Sequence, residues 1–180
     1  MTYRSVARVS AGWIAALAGA ACLVGASASR AEPWTFGAFH IDWPDGFVHQ
    51  DIAGSDQFQR ADGVGVTVDV LGHGPLTKPQ EQAVIDRWRS YAHNELVAAA
   101  GRSGQIVTPL QEEKLASGME LFSLADEQGS ETGKNFGLFF LLISPDGQIV
   151  QIAMDGPGFA SQRMREFRPV MNTAKWTPTP

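Results

Sequence analysis

Phe136 to Ile143 reads FGLFFLLI, an uncharged run that is apolar on both faces of a strand. Such a run predicts a central strand that must be covered on both sides, because apolar surface left in water costs free energy in proportion to its area. Ser144-Pro145-Asp146-Gly147-Gln148 follows with turn chemistry: proline presets one central position and glycine accepts a left-handed one. With Gly147 as a bulge residue, Ser144 pairs with Gln148. Leu138, Phe140 and Leu142 then face Met154, Ile152 and Val150 across a hairpin. A strand of this kind demands a layer above and a layer below.

Two helices are available to supply those layers. Thr77-Lys78-Pro79-Gln80 has the form of a capping box. After it Val84, Ile85, Trp88, Tyr91, Ala92 and Leu96 recur at three- and four-residue steps, and Gly101 and Gly104 end the helix. Met164, Phe167, Val170, Met171 and Ala174 form the apolar stripe of a closing helix, with Ser161 as its cap. Val64, Val66, Val68 and Val70 fall at strict period two and predict a strand. Between Trp34 and Trp43, Phe39, Ile41 and Trp43 alternate with polar neighbours in another. Pro44-Asp45-Gly46 then turns the chain into Phe47–Ile52, read as its hairpin partner, and 54–62 reads as polar loop. Ile106–Leu110 and Met119–Ala125 read as strands joined through Glu112-Glu113-Lys114, and Asp126–Asn135 as a loop. Every strand-to-strand link is short, so pairing is antiparallel. The expected fold class is α+β, a single domain in which an antiparallel sheet of about six or seven strands packs against the long central helix and the C-terminal helix. This is an α/β/α sandwich.

The first 31 of the 180 residues read as a cleaved signal peptide, leaving residues 32–180 as one domain. Arg4 and Arg8 precede an uncharged, Ala-rich run from Val9 to Gly25, and small residues follow. Cleavage after Ala28 and cleavage after Ala31 both fit, the second leaving Glu32-Pro33 at the new terminus. A retained anchor is the alternative, but the run is short for a bilayer span, which takes about 20 residues. Gly19 stands where a lipoprotein signal before Cys22 needs leucine, and no arginine pair is present. The expected address is bacterial periplasm or secretion by the general secretory route. Cys22 is the only cysteine and leaves with the signal, so disulfides, cysteine zinc sites and cysteine nucleophiles are excluded. Loss of Arg4, Arg8 and Arg30 leaves 11 basic against 19 acidic residues, net −8. That balance argues against nucleic acid and against anionic lipid.

The order of elements resembles a known fold. So do the phrases Phe39-His40-Ile41-Asp42-Trp43-Pro44-Asp45-Gly46-Phe47 near the start and Phe139 through Asp146-Gly147 near the end. The chain from about Trp34 to Trp176 is similar to the PsbP-like proteins, among them the photosystem II extrinsic subunit, a eukaryotic Ran-binding import factor and many small exported bacterial proteins. The resemblance implies a binding protein rather than an enzyme, and it carries no site residue onto this sequence.

Several groupings of residues suggest chemistry. His40-x-Asp42 and His49-x-Asp51 each place an imidazole and a carboxylate on one strand face, a metal-ligand set. A plain two-residue loop at Pro44-Asp45 brings all four together, whereas a bulge at Gly46 parts the two pairs. Asp69 and His73 at the end of the valine strand are the best acid–base candidates. Gly101-Arg102-Ser103-Gly104 lacks the nucleophile-elbow pattern, and Gly129–Asn135 is one residue short of a phosphate loop. Glu112 and Glu113, if extended, point to opposite faces and cannot straddle one bond unless the chain turns there. Trp88, Tyr91, Met164, Phe167 and Met171 read as core at helical spacing, with an apolar pocket as the alternative. Trp34 and Trp176, near the two mature ends, are candidate partner-binding anchors. No cofactor motif is present. The functional expectation is a non-catalytic exported binding protein acting through a surface, its partner another envelope protein. The alternatives are an inhibitor or immunity-type protein against a basic envelope toxin or lysozyme, and a small-ligand or metal carrier.

Overall fold

The computed structural model describes residues 33–52, 55–71, 75–102, 104–130 and 133–177. The signal segment with its cleavage points, His73 and Ser103 lie outside the described residues. The chain runs β1 (Pro33–Phe36), β2 (Phe39–Asp42), β3 (Phe47–Ile52), β4 (Ser55–Arg60), β5 (Gly65–Leu71), α1 (Lys78–Ala100) and β6 (Gln105–Val107). It continues through β7 (Gln111–Lys114), β8 (Glu120–Ser130), β9 (Gly133–Ile143), β10 (Ile149–Pro157), α2 (Ala160–Met171) and β11 (Lys175–Trp176). Among the described residues these strands form a large sheet of eight, ordered β3-β4-β5-β10-β9-β8-β6 with β7 also on β8. A small sheet of three is ordered β1-β2-β11. All pairing is antiparallel.

The central strand behaves as its sequence requires. β9 lies between β8 and β10, and its hairpin with β10 has the expected register, Leu138↔Met154, Phe140↔Ile152 and Leu142↔Val150. Leu138, Phe140 and Leu142 point into the main core, built with Phe39 and Ile41 of the small sheet and Phe167 and Met171 of α2. Leu141 and Ile143 point the other way and meet Ile85 of α1, with Phe122 and Ile149 beside them. The sandwich therefore has α1 on one face and α2 with the small sheet on the other. At the start of α1, Gln80 Oε1 accepts from the Thr77 N–H at 2.9 Å and the Thr77 hydroxyl at 2.8 Å, which fixes the helix entry.

Several expectations are corrected. Phe47–Ile52 does not pair with the Phe39–Trp43 segment: β2 belongs to the small sheet and β3 pairs with β4, inside the stretch read as polar loop. Phe39, Ile41 and Trp43 are all buried, so the strand that carries them must leave the large sheet and lie over its core. The turn at Pro44–Gly46 crosses between layers. β1 and β2 form their own hairpin around Gly37-Ala38. The charged link 112–114 is strand β7, and of the stretch read as loop Asp126–Ser130 extends β8 and Gly133–Asn135 extends β9. In both cases ladder hydrogen bonds hold a polar sequence extended at a sheet margin, where side-chain hydropathy says little. Phe159, not Ser161, occupies the cap position of α2, and the Ala160 N–H is taken instead by Glu127 Oε2 of β8 at 3.1 Å.

Charged side chains fasten the layers. Arg60 donates to Asp62 at 2.8 Å and to Glu166 of α2 at 2.6 Å, while Arg163 bridges Glu166 at 2.9 Å and Asp62 at 3.0 Å. The Arg60 guanidinium also lies over the rings of Phe47 and Phe167, 5.1 and 5.2 Å from their centroids. Its hydrogen bonds hold the Asp62 carboxyl well below the usual carboxylate range. Burial pushes Glu166 up, but hydrogen bonds from Arg60 and Arg163 outweigh it. On β7, Glu112 reaches Arg89 of α1 at 2.7 Å and Glu113 reaches Arg168 of α2 at 2.8 Å, the opposite-face geometry that adjacent strand residues require.

Two stability measurements test this account. A depressed carboxyl contributes stability at neutral pH that is lost as pH falls below about 4, so Asp62→Asn lowers stability at pH 7 by about 1 kcal/mol after solvent screening. The gap to the parent protein narrows in acid, as paired urea melts at pH 7 and pH 3 would show. Gly147 has φ +85°, and a Cβ there would lie 2.7 Å from the Leu76 carbonyl oxygen; at Gly104, φ is +80° but the space is open. Gly147→Ala should cost roughly 2–3 kcal/mol and Gly104→Ala about 1 kcal/mol.

Candidate functional site

The fold disperses the residues read as ligands or anchors. His40 on β2 shares a 3.1 Å hydrogen bond with Thr35, and the Asp42 N–H donates to Thr173 at 2.9 Å. His49 on β3 bonds Asp56 at 3.2 Å and rests against Phe58; Asp51 stands opposite Asp56 in the ladder. The two His-x-Asp pairs occupy different sheets, and among the described residues no three His, Cys, Asp or Glu side chains converge as metal ligands. Trp34 is stacked on Trp43 and Phe58, with centroids 4.8 and 3.5 Å away. It and Trp176 pack half-buried against the main core rather than standing out as anchors. Met164, Phe167 and Met171 join the same core, and Trp88 the smaller one under α1.

A different grouping emerges on the α1 side of the large sheet. The helix packs over Leu71, Phe122, Leu141, Ile143 and Ile149, reaches Phe139 through Tyr91 and meets β6, and among the described residues leaves β3, β4 and the far parts of β5 and β10 open. Strand alternation puts Val48, Gln50, Gln57, Gln59, Thr67 and Gln151 there. The same alternation adds three aspartates: Asp69, paired in register with Gln151; Asp155, opposite both Gly65 and Gly137; and Asp126, also opposite Gly137. One row across the sheet thus reads Gly65, Asp155, Gly137, Asp126, with the two carboxylate-bearing residues about 10 Å apart across an empty glycine position.

The glycines determine where these carboxyls lie. Asp155 Oδ1 comes within 3.2 Å of where a Gly65 Cβ would stand, and the Asp126 carboxyl occupies the space that a Gly137 Cβ would fill. The Asp126 side chain is half-buried over Gly137, whereas Asp155 leans toward Gly65 and stays exposed. Burial raises the Asp155 carboxyl above its ordinary value, and burial with the nearby Glu95 charge raises Asp126, against a hydrogen bond from the Gly137 backbone. Asp69 is raised by burial and then by Asp56. Among the described residues, none of the three has a cationic partner. Tyr91, itself raised by burial and by Glu95 and Asp126, stands edge-on to Phe139 at 6.4 Å beside them. Val48 is 67% exposed at the far margin. Spacing marks Asp69 only as an acid–base partner for His73, and the register that adds Asp126 depends on β8 continuing through a stretch whose polar sequence predicts a loop.

Chemically, the residues described on the open part of this face, on β3, β4, β5 and β10, include no Lys or Arg, and Asp69 there is half-buried, an arrangement that favours a cationic visitor. No protein-family model and no curated protein sequence matches the chain. Solved structures do. Cyanobacterial PsbP from Synechocystis sp. PCC 6803 is similar with a TM-score of 0.50 at 12% identity, over 86% of this chain and 98% of that one. LpqN of Mycobacterium tuberculosis, involved in cell envelope biogenesis, also gives 0.50 at 12%, over 84% and 87%. The Ran-binding protein Mog1p of Saccharomyces cerevisiae scores 0.43 at 14%, over 78% and 90%. The protein therefore has a PsbP-like fold, as the element order implied. No helix among the described residues is long and apolar enough to cross a membrane.

The raised carboxyls make a stability prediction with a fixed sign. The folded protein holds these protons more tightly than the unfolded chain, so ionisation subtracts stability as pH rises from about 4 through the raised values. Asp126→Asn and Asp155→Asn should each melt above the parent protein at pH 7 and level with it at pH 3, in thermal scans across that range.

Proposed function

We propose that this chain is an exported, non-catalytic binding protein of the bacterial cell envelope, and that the open half of its large sheet docks a basic partner protein. The observation that carries this reading is the set of three aspartates without a cationic partner among the described residues on one side of the large sheet, Asp69 and Asp155 on its open strands and Asp126 at the margin of α1 beside Glu95. A carboxylate kept partly from water without a counter-charge is a cost to the folded protein alone, and a cationic partner turns that cost into binding free energy. The leader-like first 31 residues support export, and the net −8 of the remainder speeds encounter with a cationic protein. A basic envelope-active toxin or lysozyme is the sharper form of this partner, which makes the chain an inhibitor or immunity-type protein. LpqN, which shares the fold, is involved in cell envelope biogenesis, in keeping with an envelope setting.

The test is affinity capture from the cell envelope at low and moderate salt, comparing the parent protein with the Asp69→Asn, Asp126→Asn, Asp155→Asn triple variant. The expected result is a basic protein held by the parent, released as salt rises and absent from the variant, although the variant melts higher. Equal retention by both, or empty capture at both salts, overturns the docking face.

A further inference from the structure

The opposite face of the sheet holds a second, unrelated feature. β6 ends at Val107 and β7 begins at Gln111; between them the chain leaves the ladder on β8. Pro109 in that gap has no N–H to give a ladder. Thr108 takes over locally, its hydroxyl donating to the Ala125 carbonyl at 3.0 Å and accepting from the Ala125 N–H at 2.9 Å. The space left between this segment, β8 and the first turn of α2 is a pocket of about 250 Å³.

Ser123 lines the pocket, is only 1% exposed, and its hydroxyl has no hydrogen-bond partner among the described residues. A buried hydroxyl without a partner is costly, which marks it as a group awaiting one. Pro109, Ala125, Ala160 and Met164 supply an apolar wall, with Gln111 and Ser161 as further polar edges. The N-terminus of α2 does not make this an anion site, because buried Glu127 already accepts the Ala160 N–H and is itself balanced by Lys134 at 3.4 Å. Two large apolar side chains next to lining segments are exposed: Phe159, preceding Ala160, by 53%, and Ile106, two residues before Thr108, by 57%. Ile106 stands opposite Glu127 in the ladder, so both border the same corner. A cavity of about 150 Å³ takes one benzene ring, so this one takes a ring with a short substituent.

We propose that this pocket binds a small neutral ring compound bearing one hydroxyl or carbonyl, which reaches the Ser123 hydroxyl while its apolar body fills the space against Met164 and Ala125. The chain's own residues contribute recognition only, and no bond is made or broken. The site is independent of the aspartate face.

The probes are phenol and cyclohexanol beside their hydrocarbon isosteres toluene and methylcyclohexane, titrated into ¹⁵N-labelled protein and followed by amide shifts of 108–125 and 160–164. The oxygen-bearing probes should bind about fivefold tighter than their isosteres. Ser123→Ala, which removes an unpaired buried hydroxyl and leaves the fold intact, should abolish or reverse that preference. Ser161→Phe, an exposed first-turn position at the mouth, should weaken all four probes at least tenfold. Equal affinity for alcohol and hydrocarbon, an unchanged preference in Ser123→Ala, full binding in Ser161→Phe, or no saturable binding of any probe each overturns the proposal.

Discussion

Everything in this molecule is arranged around one strand that cannot touch water on either face. β9 presents Leu138, Phe140 and Leu142 to one layer and Leu141 and Ile143 to the other. The two layers differ in kind. On one side α2 and the small sheet deliver a dense aromatic core in which Trp43 stacks near Phe167 at 6.0 Å. On the other, α1 covers a smaller cluster with Ile85, Val84 and Trp88 and runs on past Phe139 to β6, away from β3 and β4. The open strands are those the helix axis does not cross.

The layers are held in register by charge as well as by burial. The ring of Arg60, Asp62, Arg163 and Glu166 ties the β4–β5 corner to α2, with the Arg60 guanidinium sandwiched against two phenylalanines. Edge strand β7 is tethered to both helices through Glu112 and Glu113. Partly buried, bidentate arginine pairs retain more of their strength than isolated surface pairs do, since less water screens them. These acidic residues are satisfied. Asp69, Asp126 and Asp155 have no cationic partner among the described residues, which is the contrast the proposed docking face rests on.

What the sequence by itself determined was set by local physics. The valine alternation of β5, the box at Thr77 and Gln80, and the both-face apolarity of β9 are properties of short segments. So is the Ser144–Gln148 turn that fixes the β9–β10 register, and each of these stands in the structure as read. The PsbP-like sandwich follows from them. Tertiary structure alone decided which layer each polar or short strand joins. Ser55–Arg60, Gln111–Lys114 and Asp126–Ser130 are strands because neighbouring ladders accept their backbone, not because their side chains prefer it. His40 and His49 were separated by a turn that crosses between sheets, which no spacing rule contains. The aspartate face and the Ser123 pocket were invisible for the same reason. Each depends on what lies opposite: glycines across the ladder in one case, a proline-broken edge and a helix terminus in the other. Cross-strand neighbours are fixed only when the whole sheet closes.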